Sequence, residues 1–193
     1  MIHHIPSGAQ AHMARVPFLN PEDLPEHTDL LERISGRRRG KLINVYRTLL
    51  HSPPLAESWF DHINQIRWGT ELSGRLREIV IIRLGHLVSS AYVLRQHVPK
   101  LAADEGMTQE ECDALADWEA SDLFDAAEQT ALAYVDAMAR DIVVPDGTFA
   151  PLKDHFSNRQ VVELTLMVGA YISHSRVLQA LEVDLEPDET AGV

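Results

Sequence analysis

The chain has 193 residues, 45% of them hydrophobic and 24% charged, with a formal net charge of −12. That size and composition fit one globular domain with a substantial core, and the acidic balance argues against a nucleic-acid partner, which needs clustered Lys and Arg. The single cysteine, Cys112, excludes a disulfide framework or thiolate metal centre within one chain, and no run of about 18 apolar residues is present to span a membrane. A reducing, cytoplasmic setting is the expectation.

In chain order, "MIHHIPSGAQAHMARVP" lacks an apolar segment of signal-peptide length. Residues 1–20 are expected to form a flexible arm, and His3 and His4 are too few to argue for a metal. The basic run Arg37-Arg38-Arg39 with Lys41 reads as a solvated turn. "GKLINVYRTLL" (40–50) repeats Leu42, Val45, Tyr46 and Leu49 at helical spacing. Ser52 is a candidate cap for the next helix, whose first turn tolerates Pro53 and Pro54. Leu55, Trp59, Ile63 and Ile66 then suggest an apolar stripe ending at Gly69.

Ser73 opens a helix to about Leu87, and Ser89-Ser90 opens another toward Gly106, with a kink expected at Pro99. Thr108 to Glu111 reads as a capping box, and a longer helix follows from about Leu123 to Arg140. Asp146 is a candidate cap for a short helix through Phe156, and Ser157 to Gln160 is a second capping box opening a helix to about Leu181. Residues 186–193 read as a polar tail. No alternating strand pattern of useful length appears. The expectation is one all-α domain over residues 1–193, with about seven or eight helices.

"RLREIVIIRLGHLVSSAYVLRQH" (75–97) places Glu78 in an apolar run and His97 19 residues later. One straight helix would separate them by about 28 Å. A break near residue 88 instead makes an antiparallel helical hairpin with both residues at one level, across a gap of roughly 8–10 Å between axes. Gly74 and Gly85 share the Glu78 stripe and are expected to leave room beside the acid. A carboxylate among isoleucines costs several kcal/mol unless paired or protonated, so Glu78 and His97 form either a working acid–base pair or a structural polar pair.

The stretch extended to "RLREIVIIRLGHLVSSAYVLRQHVPKLAADEGMT", with "LINVYRTLLHSPPLAESW" upstream and "FSNRQVVELTLMVGAYISHSRVLQALEV" downstream, resembles the carboxymuconolactone decarboxylase family and its alkylhydroperoxidase D-like members. The resemblance covers roughly residues 42 to 183. The peroxidase branch carries Cys-x-x-Cys-x-x-x-His with a glutamate 19 residues before the histidine; here the cysteine positions are Ser90 and Val93, while Glu78 and His97 match. A serine and a valine cannot run dithiol chemistry, so the resemblance points to the cysteine-free branch. It implies a cofactor-free, metal-free lyase or isomerase acting on a small carboxylated lactone or related carbonyl compound. It also implies an alkylhydroperoxidase D-like bundle around a central helical hairpin, assembled as a homotrimer or hexamer.

His97 is the expected general acid/base. Glu78 orients its ring, and Tyr92 either hydrogen-bonds a developing enolate or packs. Ser90, Val93 and Tyr171 are expected around the substrate, whose anion needs a local cation: Arg83, Arg95 or Arg176. Arg75 and Arg77 are expected to balance Glu78 or Glu163, and His62, His86 and His174 lie on segments near a pocket. A binding or structural member without chemistry, or a residual peroxidase using Cys112, are the alternatives.

Overall fold

The computed structural model describes residues 14–141 and 143–186, and the described residues are helical with no strand. The helices are α1 (Thr28–Gly36), α2 (Asn44–Leu49), α3 (Pro53–Trp68), α4 (Gly74–Leu87), α5 (Ala91–Gln96), α6 (Ala102–Asp104), α7 (Gln109–Ala114), α8 (Ala126–Arg140), α9 (Asp146–Phe149), α10 (Leu152–His155) and α11 (Asn158–Ala180). These are more pieces than the seven or eight expected, because stretches read as single helices divide. Between α5 and α6 the helix widens into a π turn, His97–Leu101, in which Ala102 N–H donates to the His97 carbonyl. This is the form the expected kink takes, since Pro99 has no N–H to give.

The caps follow local chemistry. Ser73, Ser90, Thr108 and Ser157 accept from the third residue of their helices, and the latter two complete capping boxes. A further box, Asp125 with Glu128, starts α8 at Ala126, beyond the expected Leu123. Ser52 makes no side-chain cap bond, and Asp146 lies inside α9 after Pro145.

Helix α4 is the axis of the bundle. Ile79, Val80, Ile81 and Ile82 are fully buried, which fits a helix apolar all round. It packs against α8, α11 and α5. One cluster joins α4 to α2, α3 and α11; a second gathers Ile79, Ile82, Cys112, Leu115 and Trp118. On α3 the buried residues are Ala56, Phe60, Ile63, Ile66 and Arg67, so Ile63 and Ile66 lie inward as expected, whereas Leu55, expected inside, is 68% exposed.

The terminal segments are docked where described. Arg15 N–H donates to the Leu181 carbonyl at 2.9 Å, and its guanidinium pairs with Glu182. Glu186, read as the start of a polar tail, is buried and accepts from Asn44 N–H (2.7 Å), Gln96 (2.5 Å) and the Tyr92 hydroxyl. The rest of the expected arm and tail, residues 1–13 and 187–193, lies outside the described residues. No described helix is long and apolar enough to cross a membrane.

Candidate active site

The reversal between α4 and α5 makes the site. Ser89 takes a left-handed conformation (φ 53°). Its N–H donates to the His86 carbonyl, and Ser90 N–H donates to the Gly85 carbonyl at 2.8 Å. This is a Schellman stop with serine where glycine is usual. Ser90 then caps α5 with its own Oγ. The two helices run back antiparallel, and Gly85 lets them close: a Cβ there would meet Leu94 Cδ2 at 2.8 Å. The room at Gly85 therefore serves Leu94 and Val93 of α5, and that at Gly74 serves the Glu105 carboxylate, rather than Glu78 as expected.

His97 Nδ1 lies 2.6 Å from Glu78 Oε2, and both side chains are buried. Arg77 Nε sits 3.3 Å from the other carboxylate oxygen, and Arg77 also pairs with Glu105 at 2.5 Å. Burial alone would raise the Glu78 pKa, but His97, Arg67 and Arg77 hold it below its ordinary value. Burial, aided by Arg67 and Arg77, pushes His97 below its ordinary value against the pull of Glu78. The resting pair is therefore a carboxylate and a neutral imidazole. Nδ1–H donates to Glu78, leaving Nε2 as the proton-accepting nitrogen.

His97 lines a small cavity of about 40 Å³ together with Val93, Tyr171, His174, Arg38 and Arg67, among others. The Tyr171 ring meets the His97 ring edge-on at 5.7 Å, and burial pushes its phenol up to about 12, so it stays protonated. His174 stacks on Trp59 at 5.8 Å, and burial, with His97 and two arginines nearby, drives its pKa down to about 3. A wider pocket of about 280 Å³ adjoins, sharing Arg38, Arg67 and Leu101 and reaching Arg77 and Glu78.

The structure places the expected site residues unevenly. Glu78, His97, Val93 and Tyr171 come together. Ser90 Oγ is spent on its helix cap, and Ser90 lines a separate open groove. Tyr92 borders the cavity, but its hydroxyl donates to Glu186 and accepts from Val45 N–H, so it is committed elsewhere rather than free for an enolate. Arg83 is not an anion ligand: it grips Asp136 through Nε (2.6 Å) and Nη2 (2.5 Å) and the Leu115 and Ala116 carbonyls through Nη1. Arg95 does not line the cavity, and Arg176 is exposed and does not line it either. Of the three histidines beyond His97, His174 is at the cavity, while His62 lines a different groove and His86 faces Cys112. Arg75 pairs with Glu111 and Glu128, and Glu163 with Arg159.

Arg67 and Arg38 were not among the expected cations. Arg67 follows Ala56, Phe60 and Ile63 at i+11, i+7 and i+4, which puts it on the inward stripe; that spacing was the available signal. Burial with the Asp113, Glu111 and Glu78 charges pushes the Cys112 thiol up to about 11, far from thiolate at neutral pH. Among the described residues no group of three or more His, Cys, Asp or Glu side chains is placed to hold a metal ion.

The all-helical core, with its buried Glu–His pair across a helical hairpin, has an alkylhydroperoxidase D-like fold. Solved structures agree. An uncharacterized peroxidase-related protein from Ralstonia eutropha JMP134, described as an alkylhydroperoxidase AhpD core, has TM-score 0.81 at 19% identity, covering 94% of this chain and 98% of that one. An uncharacterized peroxidase-related protein from Silicibacter sp. TM1040 gives 0.79 at 17% identity, covering 96% and 97%. A cysteine-to-alanine variant of the debrominase Bmp8, in complex with 2,3,4-tribromopyrrole, gives 0.73 at 18%, covering 89% and 91%. At these identities the likeness establishes the fold. No curated protein matches the sequence. The sequence model of the carboxymuconolactone decarboxylase family matches residues 53–137, which hold both Glu78 and His97.

Proposed function

We propose that the protein is a cofactor-free acid–base enzyme, a lyase or isomerase, in which His97 moves a proton at carbon beside a carbonyl of a small carboxylated lactone or related compound. The observation that carries this reading is the 2.6 Å contact of His97 Nδ1 with Glu78 at a cavity, which leaves Nε2 as the reactive nitrogen. Glu78 fixes the tautomer and stabilises the imidazolium that forms during transfer. Tyr171, protonated, offers a hydrogen bond to a developing oxyanion. The thiol chemistry suggested by the names of the peroxidase-related neighbours is disfavoured here, because Ser90 and Val93 carry no thiol and Cys112 is buried in the second core cluster. A reducing, cytoplasmic setting suits that unpaired cysteine. A homotrimer or hexamer belongs to the same proposal, supported by Val162 and Leu166, which are exposed on α11.

A second reading, a binding or structural member without chemistry, has one observation in its favour: about 40 Å³ holds roughly one water. Turnover separates the two. With a panel of carboxylated lactones and β-keto acids, followed by CO₂ release and by solvent-deuterium incorporation, His97→Gln should lower kcat at least 100-fold with little change in melting temperature. Undiminished turnover in that variant would remove His97 from the mechanism, and no turnover of the panel by the native protein favours the second reading.

A further inference from the structure

Two arginines in this protein present the same edge to very different surroundings. Arg83 uses Nε and Nη2 side by side to hold both oxygens of Asp136. Arg67 is equally buried, yet its Nε and Nη2 have no hydrogen-bond partner among the described residues. Its guanidinium carbon lies over the face of Trp68 at 4.6 Å. A buried guanidinium with that fork empty calls for an explanation, because buried charges are almost always paired.

The carboxylates nearby are taken. Glu78 faces His97 and Arg77, Glu105 pairs with Arg77, and Asp104 lies 3.6 Å from Arg39. Arg38 is buried as well and bonds the Tyr46 hydroxyl and the Arg37 carbonyl, with no carboxylate partner among the described residues. Arg67 and Arg38 line both the His97 cavity and the adjoining 280 Å³ pocket, whose rim carries the exposed Arg37 and Arg39. The basic run that reads in sequence as a solvated turn thus forms the mouth of the 280 Å³ pocket, which adjoins the His97 cavity and is also lined by Glu78, Asp104 and Glu105.

We propose that the Nε–Nη2 edge of Arg67, backed by Arg38, is a carboxylate subsite that binds a small planar acid entering by the Arg37–Arg39 mouth and sets its reacting carbon against His97. This deepens the acid–base reading and rests on it for the role of His97. The edge-on fork matches a carboxylate in two parallel hydrogen bonds, as Arg83 demonstrates within the same chain. The overall negative charge of the protein would repel such a ligand, so the local cations also select it. The Arg67 charge is felt by Glu78, His97, Tyr171 and His174 alike. Neutralising it with a bound acid raises the His97 pKa, so the incoming substrate itself strengthens the base.

The test uses the full-length protein with 2-furoate as the acid and furan-2-carboxamide as its uncharged counterpart. Binding is read by calorimetry and the His97 ring by NMR titration. The native protein should bind 2-furoate at least 10-fold more tightly than the amide, and 2-furoate should move the His97 titration upward. Arg67→Gln should weaken 2-furoate at least 10-fold and abolish that movement. Arg67→Lys keeps the charge without the fork and should fall between, which serves if the glutamine variant does not fold. Equal binding of acid and amide, no binding of 2-furoate, or indifference to Arg67 each overturns the subsite. Undiminished turnover in His97→Gln, with 2-furoate binding still dependent on Arg67, instead overturns the acid–base reading and leaves the subsite standing.

Discussion

Arg83 is the arginine whose removal the structure makes most costly. Its side chain and that of Asp136 are both buried, joined at 2.6 and 2.5 Å, and its third nitrogen satisfies the carbonyls of Leu115 and Ala116 at 2.8 Å. Arg83→Met keeps much of the volume but strands Asp136 and two carbonyls. Trp118 Nε1 at 3.4 Å and Arg140 at 3.3 Å stay on Asp136 and recover only part of the loss. Breaking one partner of such a pair costs about 3–5 kcal/mol. In a chain of this size each kcal/mol lowers Tm by about 2–4 °C, so a drop of roughly 6–20 °C is expected in calorimetry, with a matching loss in urea unfolding. Asp136→Leu alone should be similarly harmful. The double variant should lose clearly less than the sum, since it leaves no buried charge from the pair. A loss below about 1 kcal/mol in Arg83→Met, or a double variant as poor as the sum, would refute this account. Binding of 2-furoate should not depend on Arg83 in any variant that folds.

Two further outcomes follow from buried groups. His174 has a native pKa of about 3, below the ordinary 6.5, so its contribution to stability is present above 6.5 and lost as pH falls toward 3. Between pH 7 and 5 it should account for up to about 2 kcal/mol of lost stability; His174→Phe should flatten that part of the urea-unfolding profile, and an unchanged slope contradicts a neutral, half-buried histidine. Cys112, with its thiol near 11 and its side chain in the core, should react with iodoacetamide at pH 8 at least 10-fold more slowly in the native protein than in urea. Equal rates would mean an open, reactive thiol.

The hairpin and its Glu78–His97 contact were readable because they depend on short-range rules. Ser89-Ser90 signalled a break, and counting residues on either side brought Glu78 and His97 to one level; the Schellman stop and the 2.6 Å contact are the physical form of that count. The capping boxes at Thr108 and Ser157 were readable for the same reason. The α3 stripe held at Ile63 and Ile66, which are buried, and was misplaced at its start: Leu55 is exposed while Ala56 and Phe60 turn inward, and only packing against α2 and α11 decides that side. The error hid Arg67, since a stripe through Leu55 and Ile66 leaves the arginine beside it rather than within it.

Charge partners were the least readable, because an arginine's partner lies wherever the fold puts an oxygen. Arg83 sits in the same helix as Glu78, and sequence proximity made it a natural anion ligand, yet it points across α4 to α8 and meets Asp136, 53 residues away. Arg67 and Arg38 come from the end of α3 and the turn after α1, and they converge on a cavity whose other walls come from α2, α5, the π turn and α11. The two arginines also differ in a way the sequence does not encode: one fork is filled by a side chain of the protein, the other is not. A filled fork stabilises the fold and answers to unfolding experiments. An empty, equally buried fork has no carboxylate to lose, so Arg67 answers to the 2-furoate binding experiment instead.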